Sequence, residues 1–185
     1  MNWYKYSQQN IQQQYQEALE SNASINVIGT GYNSSINIRG NNVSVKEIID
    51  QALAVIAPIL QDNGIHTVDT NPLTANPSAQ GLAVSSEPGT IHIDVNKILN
   101  NAQSSLPPTA NLDGTYLDND IINELIENVK QYLLSEIGET AAHESQHMAD
   151  YAEISQTPIN NVIDFHRAKE QTAEQFGKKI KQQYF

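Results

Sequence analysis

The sequence predicts an α+β fold: a small mixed or antiparallel sheet with one packing helix, followed by a helical C-terminal half. Three observations support this prediction. Short alternating runs rich in β-branched residues, separated by Gly, Asn and Pro, occupy much of the first hundred residues. Apolar residues recur at helical spacing over residues 45–60, and again through most of the chain after residue 121. At 185 residues the chain is expected to form a single domain, residues 1–185, with its own core.

The first half is predicted to contain several strands and one long helix. Residues 24–28 and 35–38 are predicted to form a strand pair around a Gly- and Asn-rich connection. Asn42 or Ser44 is expected to cap a helix, and Pro58 predicts that the last turn of that helix is kinked or lost. The remaining predicted elements are strands at 65–68, 81–84 and 90–95 and loops at 70–80 and 101–119.

Helical spacing dominates the second half and recurs near the N-terminus. A supporting helix is predicted to precede residue 143, with Gly138 either separating it from the next helix or allowing close packing. After Pro158, a last helix is expected to begin near Asn160 or Asn161. Residues 1–20 contain a short amphipathic pattern, predicted as a helix packed on the domain; the alternative is a pro-segment or partner-binding arm.

His143-Glu144-Ser145-Gln146-His147 is the most informative segment for function. It spells H-E-x-x-H, and residues four apart lie on one face of a helix. Two imidazoles at this spacing can bind one tetrahedral Zn²⁺, and the neighbouring glutamate can take a proton from zinc-bound water. The sequence therefore predicts that His143 and His147 bind zinc and that Glu144 is the general base.

A catalytic zinc site normally has a third protein ligand, and the downstream residues leave this choice open. Glu153 lies at the spacing of the last metzincin ligand, but Asp150 replaces the glycine of that motif. His166, Glu170 and Glu174 lie at i, i+4 and i+8 on one face of the predicted last helix. His166 as the ligand gives an all-histidine site, like that of SprT-type proteases.

The segment Glu170-Gln171-Thr172-Ala173-Glu174 resembles the E-x-x-A-D segment of gluzincin metallopeptidases, with Glu in place of Asp. The resemblance covers residues 118–182 and implies that Glu170 is the third zinc ligand. It also implies that Glu174 accepts the free ring N–H of a zinc histidine and so orients it. If Glu170 binds the zinc, His166 is expected to lie near the site. It then either polarises the scissile carbonyl or is a surface histidine without a catalytic role.

The same resemblance implies a substrate-binding strand at the upper edge of the cleft. Residues 90–95 are the predicted strand, to which an extended peptide adds as a further strand. His92 lies on its polar face and is predicted to face solvent.

The expected function is zinc-dependent hydrolysis of peptide bonds in a peptide or protein substrate, by an endopeptidase. Two alternatives remain: a zinc-binding pseudoenzyme or structural or interaction module without catalysis, and a stable domain that binds no metal. A net charge of −11 with 10 Lys+Arg argues against nucleic-acid binding. The absence of cysteine excludes disulfides and Cys zinc ligands. No signal peptide or membrane-length apolar run is recognised in the sequence, so a cytoplasmic location without membrane association is expected, with secretion of a processed form as the alternative.

Overall fold

A computed structural model of the protein describes residues 24–106, 119–154 and 162–185. The predicted N-terminal helix or arm, most of the predicted 101–119 loop and the predicted helix boundary near Pro158 lie outside these residues. The strands are β1 (Asn26–Ile28), β2 (Ser35–Ile38), β3 (Asn41–Ser44), β4 (Thr67–Asp69), β5 (Gly81–Ala83) and β6 (Thr90–Ile93). The helices are α1 (Val45–Asp62), α2 (Val95–Ser105), α3 (Asn119–Ile154) and α4 (Val162–Tyr184), and a 3₁₀ turn (Thr30–Asn33) follows β1.

The predicted α+β class is confirmed. The larger sheet has the order β1-β4-β6-β5, in which β1, β4 and β6 run parallel and β5 is antiparallel at one edge. The smaller sheet is the antiparallel pair β2-β3. The loop predicted from residue 101 starts later, because α2 continues to Ser105.

The predicted strand pair of residues 24–28 and 35–38 is wrong, because the two strands belong to different sheets. Val27 of β1 aligns with Val68 of β4 in parallel register. Ile36 of β2 instead aligns with Val43 of β3. At Gly29 the backbone has φ 96°, a conformation that favours glycine, and the chain then enters the 3₁₀ turn instead of a hairpin. The connection from β1 to β4 thus includes β2, β3 and α1.

Helix α1 keeps its last turn despite Pro58 and ends at Asp62, so the predicted kink or loss is wrong. Pro58 lies on the exposed side, where water can bond the carbonyl left without a partner. Its neighbour Ala57 and, two residues on, Leu60 are fully buried and hold the turn against the core. Just beyond the helix, the Asn63 side chain donates to Ser145 Oγ at 3.0 Å, which ties α1 to the H-E-x-x-H segment.

The supporting helix and the H-E-x-x-H helix form one continuous 36-residue helix, α3. Gly138 therefore does not separate them; a side chain there would collide with the ring of Phe185, so the glycine permits close packing. The face of α3 that enters the core is lined by buried apolar residues: Val129, Leu133, Leu134, Ile137, Ala141, Ala142 and Met148. Within the described residues, no helix has both the length and the apolar character needed to cross a membrane.

Helix α4 packs on α3 at the level of the motif. A Cβ added at Gly177 would lie 2.9 Å from the Glu139 carbonyl oxygen and 3.3 Å from His143 Cβ. One turn on either side, Ala173 and Ile180 are buried in the same interface. The absence of a side chain at Gly177 thus sets how closely α4 approaches the first histidine.

Gly177→Ala is expected to lower the free energy of unfolding by about 1–3 kcal/mol, because the added methyl group meets α3 backbone that cannot easily move. The gain in helix propensity, about 1 kcal/mol, offsets only part of this loss. Urea unfolding of the metal-free protein measures the effect. Gln175→Ala, at an exposed position of the same helix, is the control and should change stability by less than about 0.5 kcal/mol. A Gly177→Ala protein as stable as wild type would contradict the proposed tight helix contact.

Candidate metal and catalytic site

Helix α3 presents His143 and His147 on one face, one turn apart. Their Nε2 atoms are 3.0 Å apart, and the rings meet edge to face at 4.8 Å between centroids. Glu170 reaches them from α4: Oε1 lies 3.4 Å from His143 Nε2 and Oε2 lies 3.1 Å from His147 Nε2. The three side chains predicted as zinc ligands therefore converge on one point.

The geometry of these three donors fits a tetrahedral zinc ion. A tetrahedron with zinc–nitrogen arms of about 2.0–2.1 Å has edges of about 3.3 Å. The two histidine nitrogens are 3.0 Å apart, and a different Glu170 oxygen lies near each of them, at 3.4 and 3.1 Å, so each separation is close to that edge length although no single oxygen gives both. Among the described residues, this is the one group of three or more His, Cys, Asp or Glu side chains that could hold a metal ion. Two imidazoles and one carboxylate are a donor set that zinc accepts in catalytic sites.

The electrostatics of His143 favour the neutral ring that a metal requires. Burial lowers the pKa of His143, and the neighbouring His147 lowers it further. The carboxylates of Glu170, Glu174 and Glu139 act in the opposite direction but do not reverse the shift. At neutral pH the His143 ring is therefore available as a lone-pair donor.

Glu144 is buried next to these three candidate ligands, with 7 % of its surface exposed. Its carboxylate lies 4.0 Å from His143 Nε2 and accepts the backbone N–H of Ala83 in β5. Burial and the charge of Glu170 raise its pKa to about 8, while the Ala83 hydrogen bond lowers it in part. A cation at the three ligands would favour the ionised carboxylate.

Strand β5 fits over Glu144 because it begins with glycine. A Cβ at Gly81 would lie 2.5 Å from Glu144 Oε1 and 2.8 Å from Thr140 Cγ2. With glycine, the strand passes directly over the carboxylate and brings the Ala83 N–H within reach. Residues 81–83 thus determine the position of the side chain that the motif predicts as the base.

The strand that borders the site is β5, so the expectation that residues 90–95 form the cleft edge is wrong. β6 lies between β4 and β5 and has no free edge. His92 is also less exposed than predicted, since only 17 % of its side-chain surface is accessible. Its Nε2 lies 2.9 Å from Glu87 Oε2, and its Nδ1 lies 3.4 Å from Asp69 Oδ2. His92 is partly covered because β5 lies along the edge of β6 and the carboxylates of Asp69 and Glu87 contact its ring.

An open cleft of about 540 Å³ lies between β5 and the helices and contains the three candidate ligands and Glu144. Tyr151, on its wall, donates from its hydroxyl to the Ala83 carbonyl oxygen at 3.5 Å. Burial raises the pKa of Tyr151, as do the nearby charges of Glu144 and Glu170. The hydroxyl thus remains a proton donor at the cleft wall.

The two other predicted site residues lie outside the three-donor group. His166 lines the cleft, is exposed, and contacts the Phe165 ring edge to face at 6.1 Å between centroids. Glu174 is exposed and accepts a hydrogen bond from Lys178, which is the main cause of its lowered pKa. The roles suggested for both residues remain predictions. The side chain of Glu153, the alternative third ligand, is outside the described part of the chain.

Sequence reasoning did not identify four residues that shape this site. Gly81 and Ala83 lie in a three-residue strand with little β propensity, and their relation to Glu144 depends on sheet order. In the sequence, Asp150 stood out only because it occupies the position of the glycine in the metzincin motif. It is buried and pairs with Lys169, the residue before Glu170. The helical i, i+3 spacing from His147 to Asp150 was the available signal.

Comparison with protein-family models, with curated proteins and with solved structures found no match for this chain. The resemblance to gluzincins therefore depends on the two motifs and on the convergence of their side chains.

The raised pKa of Glu144 predicts a pH dependence of stability in the metal-free protein. Between its ordinary value of 4.5 and about 8, the folded state holds a proton that the unfolded state releases. The contribution of Glu144 protonation to the free energy of unfolding is therefore full below pH 4.5. It is lost as pH rises to 8, at up to about 1.4 kcal/mol per pH unit. The lowered pKa of His143 acts in the opposite direction.

Glu144→Gln removes the effect of Glu144 on the pH dependence of stability and leaves that of His143 in place. Urea unfolding in the presence of a chelator, at pH 5, 6, 7 and 8, should show the variant gaining stability relative to wild type as pH rises. Parallel pH curves for the two proteins would contradict the assignment of a raised pKa to Glu144.

Proposed function

We propose that this protein is a zinc-dependent metallopeptidase of the gluzincin type, in which His143, His147 and Glu170 hold the metal and Glu144 is the general base. The observation that carries the proposal is the approach of Glu170, from a separate helix, to within 3.4 Å of both H-E-x-x-H imidazoles. A buried carboxylate next to an open cleft completes the arrangement. A bound Zn²⁺ would supply a Lewis acid that polarises a carbonyl oxygen and lowers the pKa of water.

Glu144 has the surroundings that general acid–base catalysis requires. The Ala83 N–H and the close passage of Gly81 hold the carboxylate in one orientation. Burial raises its affinity for a proton, so that it can accept one and return it to a leaving amine near neutral pH. The charge of a metal opposes this effect and keeps the resting carboxylate ionised.

The border of the cleft supports a peptide as the substrate. β5 is an outer strand of the sheet and lines the open cleft beside the ligands, so an extended peptide has room to lie along it. The Tyr151 hydroxyl and the His166 ring both line the cleft. Each is a candidate donor to the oxygen that becomes negative when a peptide carbonyl is attacked.

Zinc content and hydrolysis, measured together, test the proposal. Wild-type protein supplied with zinc is expected to bind about one Zn²⁺ per chain and to cleave peptides from a casein digest. Glu170→Gln should lose zinc, because a neutral amide is a poor ligand for it. Glu144→Gln should keep zinc and lose hydrolysis by about 10²–10⁴-fold, as expected when a general base is removed. Glu124→Gln, at an exposed position of α3, is the control and should resemble wild type.

Other results would separate the alternatives. Full zinc binding with no hydrolysis of any peptide would favour the zinc-binding module without catalysis. Zinc lost in His166→Ala but kept in Glu170→Gln would make His166 the third ligand. No zinc bound by wild type would contradict the proposal.

Gly81→Ala offers a test of the glutamate's position that leaves every charged group in place. The added methyl group would overlap Glu144 Oε1, so the carboxylate must move from the Ala83 N–H. Zinc content is expected to be unchanged, while kcat falls by about 10²-fold, the loss expected from a misplacement of about 1 Å. A Gly81→Ala protein with wild-type kcat would show that this contact has no role in hydrolysis.

A further inference from the structure

We propose that the ion pair between Asp150 and Lys169 positions Glu170 for metal binding. The inference rests on the proposed function, because it assigns a role within the same zinc site. Lys169 Nζ lies 2.9 Å from Asp150 Oδ1 and links α4 to α3. Asp150 comes three residues after His147, and Lys169 immediately precedes Glu170. The pair thus joins the two ligand-bearing helices next to the ligands themselves.

Glu170 needs such an anchor because little packing holds it. Its side chain is 62 % exposed. From Phe165 to Thr172, no residue of α4 is buried; the buried contacts begin at Ala173 and continue toward the C-terminus. The Lys169 ammonium also lies 5.5 Å from the centroid of the Phe165 ring, and its pair with Asp150 connects this exposed part of α4 to α3. Among the residues of α4 whose burial is described, the buried ones therefore all lie C-terminal to Glu170.

The local energetics argue against a role in stability alone. Asp150 is 3 % exposed, and its Oδ1 accepts from both Lys169 and the Gln146 side-chain amide, the latter at 3.1 Å. Its Oδ2 is the one buried side-chain nitrogen or oxygen in the described residues without a hydrogen-bond partner. Burying a charge with an unmet acceptor is costly, and a buried ion pair often adds little net stability. Fixing the relative position of two helices is the function that its location supports.

A second cross-helix ion pair provides a matched comparison. Lys181 joins α4 to Glu136 and Glu139 of α3, the latter at 2.7 Å. It lies about three turns beyond Lys169 and away from Glu170. Both lysines link the same two helices, but only Lys169 is next to a ligand. A general loss of helix docking would affect both variants, whereas a loss of ligand position would affect one.

The test measures zinc affinity by competition with a chromogenic chelator and, in parallel, the visible spectrum of the Co²⁺-substituted protein. Lys169→Met and the isosteric Asp150→Asn are each expected to weaken zinc binding by about 10–100-fold, the usual effect of losing a group that orients a ligand. The Co²⁺ bands should also shift, which reports altered coordination. Lys169→Arg keeps the charge and should recover most of the affinity. Lys181→Met should change affinity by less than about threefold.

The outcomes distinguish this inference from the proposed function. If wild type binds no zinc, both fail. If wild type binds zinc and Lys169→Met and Asp150→Asn bind it equally well, with unshifted Co²⁺ bands, the positioning role alone is overturned. Equal weakening by Lys169→Met and Lys181→Met would also overturn it, since docking of the helices would then explain the effect. Unfolding curves of the metal-free variants identify any variant that does not fold. If Lys169→Met does not fold, the zinc affinity of Asp150→Asn decides the result.

Discussion

The close contact of α4 with α3 sets the distance between Glu170 and the two histidines. Gly177 permits this contact, since a side chain there would meet the Glu139 carbonyl and His143 Cβ. Ala173 and Ile180 bury the same face. The H-E-x-x-H histidines need only the local geometry of one helix. The third donor requires the tertiary contact, so the site depends on how these helices pack.

A second close contact determines the position of Glu144. β5 crosses above the α3 helix at Gly81, where a methyl group would overlap the carboxylate. The Ala83 N–H then bonds Glu144, and the Ala83 carbonyl accepts from Tyr151. Both backbone polar groups of one residue therefore contact the site. Burial under the strand also raises the pKa of Glu144, so the same packing that positions the carboxylate changes its affinity for protons.

The sequence predicted the site better than it predicted the sheet, for a physical reason. The H-E-x-x-H pair is read from helical periodicity, which is local, and Glu170 was selected from its helix face by the resemblance to the gluzincin segment. The structure brings His143, His147 and Glu170 together. Strand partners are not local. Residues 24–28 and 35–38 are close in sequence, yet they do not pair: β1 pairs with β4, which follows an intervening helix. The edge position of β5 could not be inferred from Gly-Leu-Ala, which has neither β-branched residues nor alternation.

Contacts between distant residues account for the other differences. Pro58 indicated a broken turn, but the buried faces of Ala57 and Leu60 hold α1 to Asp62. The pairing of Asp150 with Lys169 joins residues on separate helices, and no local pattern indicates which charged residues will meet. The class of fold, the motif helix and the residues that meet near His143 could therefore be predicted from the sequence. The cleft border and the groups that hold Glu144 and Glu170 required the structure.

A crystal structure of protein grown with Zn²⁺, with anomalous data collected at the zinc absorption edge, shows directly whether His143, His147 and Glu170 hold the metal. We expect one strong anomalous peak about 2.0–2.2 Å from His143 Nε2, His147 Nε2 and a Glu170 carboxylate oxygen, with a fourth position open to the cleft. No peak at these residues, or a peak in which His166 or Glu153 replaces Glu170, would contradict this expectation.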